Sequence, residues 1–188
     1  YQRARNIGLG LLGLGIQKGE RVAILSDNRL EWIYTDMGAL GIGACVVALY
    51  ATIPASEVEY ILKDAGAKAV IVENRTQLTK ALAAQKNCPA LECIIVIESA
   101  GCELNGKSTL AFSDVMNAGE KKHQQDAALF AKLADSVTPD DLLTLQYTSG
   151  TTGNPKGSIL THGVVMAQLR AWDAVEPKYG YDTDNVVG

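Results

Sequence analysis

The sequence predicts an α/β protein whose parallel sheet is covered by helices on both faces. Short apolar runs alternate with helical segments from residue 2 to residue 98, which is the order expected of strand–helix–strand units. The runs "RVAIL", "CVVALY", "KAVIVE" and "CIIVIE" are continuously apolar in their interiors, as in strands that are buried on both faces. The chain has 188 residues, of which 47% are hydrophobic, and this suffices for one large core.

Each element is assigned from its hydrophobic period and from the residues that start or end it. Glycine ends the first two helices, and a capping box of Ser56 and Glu59 starts the third, which runs to about Ala65. Five apolar side chains share one face of the second helix, and we expect that face to be buried. They are Leu30, Ile33, Tyr34, Met37 and Leu40. The predicted helices cover 2–15, 29–43 and 56–65 and begin again at Thr76, and the strands cover 21–25, 45–50, 68–73 and 93–98.

The chain changes character after Glu98. Residues 99–141 are polar and contain "GEKKHQQD", which predicts a surface excursion with one helix around 127–134. An apolar strand follows at 141–150, and "KGSILTH" is expected to be its hairpin partner or a neighbouring strand. Helical period then resumes in "HGVVMAQLRAWDAV".

Composition excludes several classes of protein. The net charge of −4 and the lack of a basic stripe argue against a nucleic-acid-binding protein. The four cysteines and two histidines show no metal-ligand spacing, and free thiols in a reducing cytosol are the preferred interpretation. The chain begins with Tyr1 and stops at "DTDNVVG", so we expect a fragment without a signal peptide.

Two segments imitate functional elements. Residues 37–56 carry no charge and have the length of a membrane span, but glycines and Pro54 interrupt them, so a helix followed by a strand is predicted. The sequence "GLGLLG" (residues 8–13) satisfies the G-x-G-x-x-G pattern of dinucleotide sites. That pattern should follow a strand and open a helix, whereas here it ends a helix, so no dinucleotide site is predicted.

The sequence "YTSGTTGNPKG" (residues 147–157) follows a predicted buried strand, where α/β folds present ligand sites. Its glycines, Gly150, Gly153 and Gly157, suit a backbone nest for anionic oxygens, its hydroxyls add donors or a metal ligand, and Lys156 adds a positive charge for phosphate. It is not a P-loop, because Pro155 stands five residues after Gly150. The pattern therefore predicts a polyphosphate site, and a flexible glycine–threonine turn is the alternative.

The same motif resembles the phosphate-binding signature of the acyl-adenylate-forming (AMP-forming) enzyme superfamily. The upstream segments "GLGIQKGERVAILSDNRLEW" and "ACVVALYATIPASEVEYILKDAGAKAVIVEN" are also similar to that family. Within it, "LYATIPASEVEYIL" is closest to long-chain fatty acyl-CoA synthetases, and Thr151 favours them over peptide-synthetase domains, which usually have serine there. The resemblance implies that residues 1–188 are part of the large N-terminal AMP-binding domain of such an enzyme.

The resemblance also implies a reaction and its site residues. A fatty-acid carboxylate attacks the α-phosphate of ATP, and coenzyme A then displaces AMP from the acyl-adenylate. The ATP phosphates would be bound by Thr148, Ser149, Gly150, Thr151, Thr152, Gly153 and Lys156, with Thr151 as a candidate Mg²⁺ ligand. The family often has a histidine where His162 stands, but Val164 occupies the position of a nearby asparagine. A catalytic His162 and a packed, hydrogen-bonded His162 therefore both stay open.

The resemblance leaves the catalytic set of this chain incomplete. The family's adenine motif, ribose-binding aspartate and C-terminal domain with its catalytic lysine have no match here, so we expect the chain alone to be inactive. Three alternatives remain: a ligase for another carboxylic acid, a non-catalytic nucleotide-binding module, and an interaction domain with a decayed loop. We expect a cytoplasmic protein without a transmembrane span that associates with membranes only peripherally.

Overall fold

The structure is a computed structural model that describes residues 1–148 and 154–179. Its centre is a seven-stranded sheet in the order β5-β4-β3-β1-β2-β6-β7, in which every neighbouring pair is parallel except β6 with β7. The strands are β1 Arg21–Leu25, β2 Cys45–Leu49, β3 Ala67–Val72, β4 Cys93–Val96, β5 Thr109–Ala111, β6 Leu142–Thr148 and β7 Lys156–Thr161. The helices are α1 Gln2–Gly13, α2 Leu30–Gly41, α3 Ala55–Ala65, α4 Arg75–Gln85, α5 Phe112–Gln125, α6 Leu129–Asp135 and α7 His162–Tyr179.

Helices cover the central strands on both faces. Helices α3 and α4 pack on one face, and α1, α2, α5 and α6 pack on the other. Successive residues of a strand therefore enter different cores: in β1, Ala23 and Leu25 face α3 and α4, whereas Val22 and Ile24 face the α1 layer. This confirms the predicted fold class, and the structure also confirms the four predicted strands to within two residues.

The start of α3 differs from the predicted capping box. The helix begins at Ala55 with Pro54 as its N-cap, and no side chain makes a capping hydrogen bond. Pro54 has an extended backbone and is the N-cap two residues before the predicted one, which leaves Ser56 inside the first turn. A side-chain cap is present instead on α4, where Asn74 Oδ1 accepts hydrogen bonds from the amides of Thr76 and Gln77.

The predicted buried face of α2 is wrong for three of its five residues, whereas Tyr34 and Leu40 are partly buried against the core. The buried residues of this helix are Thr35, Gly38 and Ala39. The other three predicted residues point outward, since Leu30, Ile33 and Met37 are 62%, 50% and 52% exposed. The reason is a close helix crossing: a Cβ on Gly38 would overlap the Ala4 carbonyl oxygen of α1, so only small residues fit where α2 crosses α1.

Residues 99–141 contain more structure than the predicted surface excursion. They add β5 to the sheet edge and form α5, and the helix expected around 127–134 is present as α6. Phe112 and Val115 of α5 and Phe130 of α6 are buried against α1 and the sheet. The polar side chains of this segment lie on its outer face. They outnumber the widely spaced apolar residues, so the sequence pattern does not reveal the buried positions.

The structure explains the two segments that resemble a membrane span and a dinucleotide site. Residues 37–56 form the end of α2, strand β2 and the start of α3, as predicted, and none of the described helices has the length and apolar character needed to cross a bilayer. The glycines of "GLGLLG" lie inside α1, where Gly8 meets the Gly38 carbonyl and Gly10 meets the Val115 carbonyl. They permit close helix packing and form no phosphate loop.

We predict that Gly119→Ala destabilises the fold. Gly119 lies where α5 crosses α1, and its added Cβ would overlap the Asn6 carbonyl oxygen, which cannot move without shifting the α1 backbone. Overpacking of this kind outweighs the gain in helix propensity and should lower the free energy of unfolding by about 1–3 kcal/mol. Thermal and urea unfolding measure the change.

The matched control is Gly13→Ala, at the end of α1. Its added Cβ would meet only Lys122 Cε at 3.6 Å, an ordinary contact with a flexible side chain. This variant should match or exceed the wild-type stability. Equal stabilities for the two alanine variants would contradict the close α1–α5 crossing.

Candidate functional site

The motif "YTSGTTGNPKG" begins on one strand of a β-hairpin and ends on the other. Strands β6 and β7 are antiparallel, and their register pairs Tyr147 with Gly157 and Thr148 with Lys156. Directly paired side chains lie on the same face of a hairpin, so Lys156 stands beside Thr148. These two candidate residues are thus adjacent, whereas Ser149, Gly150, Thr151, Thr152 and Gly153 lie outside the described residues.

The hairpin stands at the carboxyl edge of the sheet. Strand β6 is parallel to β2, and β2 is parallel to β1, so all three strands end on the same side. A cleft of about 450 Å³ opens there, beside Thr148. It is lined by Ser26, Asn28, Trp32, Ala48, Leu49, Tyr50, Gln146, Tyr147 and Thr148. Ligands of α/β sheets bind at this position, outside the carboxyl ends of the strands.

One wall of the cleft is held by an ion cluster around Arg29. Its guanidinium donates to Glu31 Oε2 at 2.8 Å and to Glu98 Oε1 at 2.8 Å, and these hydrogen bonds to the two carboxylates raise the pKa of Arg29. Glu73 Oε2, at the end of β3, accepts a hydrogen bond from the Asp27 amide at 2.8 Å. These contacts fasten the connection after β1, which carries Ser26 and Asn28, to the ends of β3 and β4.

The opposite wall is the connection after β2, and helix α4 holds it. Lys80 Nζ donates to the carbonyls of Ala51 and Ile53, each at 2.8 Å, and Gln77 Nε2 donates to Ala51 O at 3.1 Å. Tyr50 precedes this clamped segment and is 77% exposed in the cleft. Sequence reasoning missed Arg29, Gln77 and Lys80, because no local pattern links them to segments 26 to 69 residues away.

Gly157 has a different role from the one predicted. It lies within β7 and is absent from the described glycines with positive φ, so it forms no part of an anion nest. A Cβ at this position would come 3.1 Å from Tyr147 Cζ and 3.3 Å from its hydroxyl oxygen. Gly157 therefore makes room for the Tyr147 ring, while Lys156, the neighbouring residue, is exposed at the hairpin tip.

His162 lies far from the hairpin tip. The register pairs Thr161 with Leu142 at the amino end of β6, about 20 Å along the strand from Thr148. Its side chain borders a separate cavity of about 350 Å³ together with Leu40, Ala134, Val137, Thr138, Pro139 and Met166. Burial lowers the pKa of His162, so the neutral imidazole is favoured. This placement supports a packed His162 over a catalytic one, but its buried Nε2 has no hydrogen-bond partner among the described residues, so the expected side-chain hydrogen bond is not found there.

The position of Val164 fits the same interpretation. Val164 lies in the first turn of α7, where its amide donates to Thr161 Oγ1 at 3.4 Å, and its side chain is 49% exposed. It therefore belongs to the start of a helix at the amino edge of the sheet. Neither Val164 nor His162 reaches the cleft at the carboxyl edge.

Comparison with protein families gives one match across the chain. The family model described as AMP-binding enzyme matches residues 1–188. Curated relatives include the long-chain-fatty-acid–CoA ligase FadD15 of Mycobacterium bovis, which is 34% identical over 92% of this chain. The long-chain-fatty-acid–CoA ligase ACSBG2 of Xenopus laevis is 35% identical over 86% of it. The chain spans about a quarter of the length of these relatives, 27% and 21% respectively.

Solved structures agree on the fold. The anthranilate CoA ligase AuaEII, crystallised with anthranoyl-AMP, superposes with a TM-score of 0.72 at 29% identity, covering 92% of this chain and 31% of that one. A putative long-chain-fatty-acid CoA ligase from Rhodopseudomonas palustris superposes with a TM-score of 0.69 at 22% identity, covering 92% and 39%. The described sheet and helices therefore match the N-terminal domain of adenylate-forming ligases.

We predict that His162 makes the stability of the fold depend on pH. Because its pKa is lowered in the folded state, the unfolded state binds the proton more readily, and stability should fall as pH drops below about 6.5. His162→Gln should remove this part of the dependence. Thermal unfolding between pH 8 and pH 5 measures it.

The control is His123→Gln, which removes the other histidine of the chain and leaves His162 in place. The decline attributed to His162 should persist in this variant. A pH profile of His162→Gln that overlays the wild type would show that His162 is not a buried neutral imidazole.

Proposed function

Because the chain belongs to the AMP-binding enzyme family, we propose that it supplies the ATP phosphate-binding hairpin of a ligase that activates a fatty acid. The observation that supports this proposal most directly is the pairing of Thr148 with Lys156 beside a cleft at the carboxyl edge of the sheet. The proposal extends to residues 149–153, whose glycines and hydroxyls connect these two positions in the sequence.

The chemistry of the donors suits a polyphosphate. Lys156 provides an exposed positive charge, and the neighbouring hydroxyls and backbone amides provide hydrogen-bond donors. The described residues that line the cleft offer hydroxyl, amide and aromatic groups and no carboxylate, so an entering phosphate meets no repulsion from the lining. Bound Mg²⁺ would neutralise phosphate charge, and Thr151 is the residue that we propose as its protein ligand.

The proposed reaction has two steps. A carboxylate oxygen of the acid attacks the α-phosphorus of ATP, the bond to the β-phosphate oxygen breaks, and an acyl-adenylate and pyrophosphate form. The thiol of coenzyme A then attacks the acyl carbon and releases AMP. In the first step Lys156 and the hairpin hold the leaving pyrophosphate and stabilise its growing negative charge.

A long-chain fatty acid is the favoured substrate class. The curated relatives named above are long-chain-fatty-acid–CoA ligases, at 34% and 35% identity. A second candidate is an aromatic or other small carboxylic acid, since AuaEII is an anthranilate CoA ligase and is 29% identical to this chain. Acyl-CoA formation assayed with palmitate and with anthranilate as alternative substrates distinguishes the two.

We further propose that residues 1–188 are part of the large N-terminal AMP-binding domain of a longer enzyme that also has a C-terminal domain. The chain spans 27% of FadD15, and three-quarters of that relative have no counterpart here. A cytoplasmic location with peripheral membrane association belongs to the same proposal. Assays of function therefore use the longer enzyme, and the 188-residue chain is tested separately.

Lys156→Ala in the longer enzyme should lower kcat/KM for ATP by about tenfold to a hundredfold. The change removes a charge-assisted phosphate contact worth about 1.5–3 kcal/mol. The KM for the fatty acid should change little, since the lysine contacts only ATP in this proposal. Steady-state pyrophosphate release, with ATP varied at saturating acid, measures the effect.

Lys86→Ala is the matched control. Lys86 is an exposed lysine at the end of α4, on the side of the sheet where β4 begins, and it should leave kcat/KM for ATP unchanged. An unchanged value for Lys156→Ala would remove the hairpin from ATP use. ATP binding without pyrophosphate release by the wild type would favour a non-catalytic nucleotide-binding module.

Residues 1–188 alone should form no acyl-CoA. Adenylation needs the acid, the α-phosphate and a positive partner held in line, and this chain provides a site for the leaving pyrophosphate only. The test is pyrophosphate release with ATP, Mg²⁺, palmitate and coenzyme A. Turnover above the no-enzyme control that disappears in Lys156→Ala would show that the catalytic groups lie within these 188 residues.

A further inference from the structure

The β6–β7 hairpin continues beyond the part of β6 that is paired with β2. Strand β6 is paired with β2 from Thr144 to Gln146 and no further. Tyr147 and Thr148 continue β6 past that point, and their strand partners are Gly157 and Lys156 of β7. These four residues, which we call the hairpin stem, therefore need another contact to fix them relative to the cleft.

One side-chain hydrogen bond provides that contact. Tyr147 Oη donates to Asp64 Oδ2 at 2.6 Å, across 83 residues of sequence. Within the described part of the chain, it is the only side-chain hydrogen bond made by a stem residue. The stem is thus tied to helix α3 by this hydrogen bond, in addition to the packing of the Tyr147 ring against the core that α3 shares.

The partner helix is a rigid anchor. Val58, Ile61, Leu62 and Ala65 of α3 are buried in the core that faces this side of the sheet. Asp64 lies in the last turn, one residue before the buried Ala65, and Gly66 ends the helix in the left-handed conformation. The position of the carboxylate is therefore set mainly by the packing of α3 on the sheet, and the Tyr147 ring, which Tyr147→Phe keeps, packs against the edge of the same core.

The phenol is equipped to serve as a donor. Burial, and next the hydrogen bond to Asp64, raise the pKa of Tyr147, so the hydroxyl keeps its proton at neutral pH. The Tyr147 ring lies over Gly157, where any larger residue would crowd it. The same ring thus contacts the opposite strand of the stem and reaches the helix.

We propose that Asp64 is a positioning residue for ATP binding, which acts through Tyr147 to hold Thr148 and Lys156 beside the cleft. This inference rests on the proposed function, because it assigns Asp64 to the same phosphate site. Asp64 itself touches no substrate in this proposal. Its carboxylate sets the place of the stem, and the stem sets the place of the lysine charge.

The test is a double-mutant cycle in the longer enzyme. Asp64→Ala and Tyr147→Phe remove the same hydrogen bond from its two sides, and Tyr147→Phe deletes one oxygen atom only. Each should raise the KM for ATP by about threefold to tenfold, the value of one net hydrogen bond at a partly exposed site, with the KM for the fatty acid unchanged. The double variant should be no worse than the more affected single variant.

Two further variants separate positioning from a general loss of structure. Asp64→Asn keeps an acceptor oxygen and should retain a KM for ATP near the wild-type value. Asp135→Ala removes an exposed aspartate from the last turn of α6, a similar place on another helix, and should leave the KM for ATP unchanged. If Asp64→Ala fails to fold, Tyr147→Phe alone supplies the measurement.

Amide hydrogen exchange without nucleotide gives a readout that does not depend on activity. Asp64→Ala and Tyr147→Phe should speed exchange in peptides that cover residues 154–160, and Asp135→Ala should not. Unchanged exchange and unchanged KM for ATP in a folded Asp64→Ala enzyme would overturn the inference, as would effects that multiply in the double variant. If Lys156→Ala leaves ATP use intact, the proposed function fails, and the exchange experiment still decides whether Asp64 holds the stem.

Discussion

The pairing of β6 with β2 determines where the candidate site lies. The two strands are nearly a hundred residues apart in sequence, and their parallel register, with Val46 beside Thr144 and Ala48 beside Gln146, places the carboxyl end of β6 next to the ends of β1 and β2. Thr144 Oγ1 reinforces this register by donating to Val46 O at 2.8 Å. Without the pairing, the glycine- and threonine-rich motif would be an isolated turn, because the cleft beside it is formed by residues from all three strands and their connections.

The scaffold and the site use different kinds of interaction. Strands β1 to β4 and the helices on both faces are held by apolar packing, and at the close helix crossings only glycine fits. The walls of the cleft are held by charged and polar side chains instead: Arg29 fastens one connection to the ends of β3 and β4, and Lys80 fastens the other to α4. This division is expected, since loops cannot bury enough apolar surface to fix themselves, yet a binding site needs them fixed.

Sequence reasoning succeeded where one local pattern determines the structure. Continuous apolar runs identified β1 to β4, and the hairpin was predicted from an apolar strand followed by turn residues. It failed where a segment distant in sequence determines which residues are buried. Packing against α1 determines which residues of α2 are buried, and α5 is mostly polar because only a few of its residues pack into the core. The site shows the same limit. Thr148 and Lys156 are predicted from the motif, and their role stays a prediction, whereas the contacts of Asp64 and Arg29 span 83 and 69 residues, which no local pattern encodes.

The residues of the motif are therefore constrained in two separate ways. We propose phosphate binding for residues 148–156, whereas Tyr147 and Gly157 are explained by the architecture of the stem, where one supplies a ring and the other the space for it. Both constraints depend on the register of the hairpin. A slip of one residue would pair Lys156 with Tyr147 and turn the lysine to the opposite face, away from Thr148. Because side chains alternate along a strand, the position of the positive charge depends on the adjacent Tyr147–Gly157 pair. Through the hydrogen bond between Tyr147 and Asp64, it depends also on helix α3.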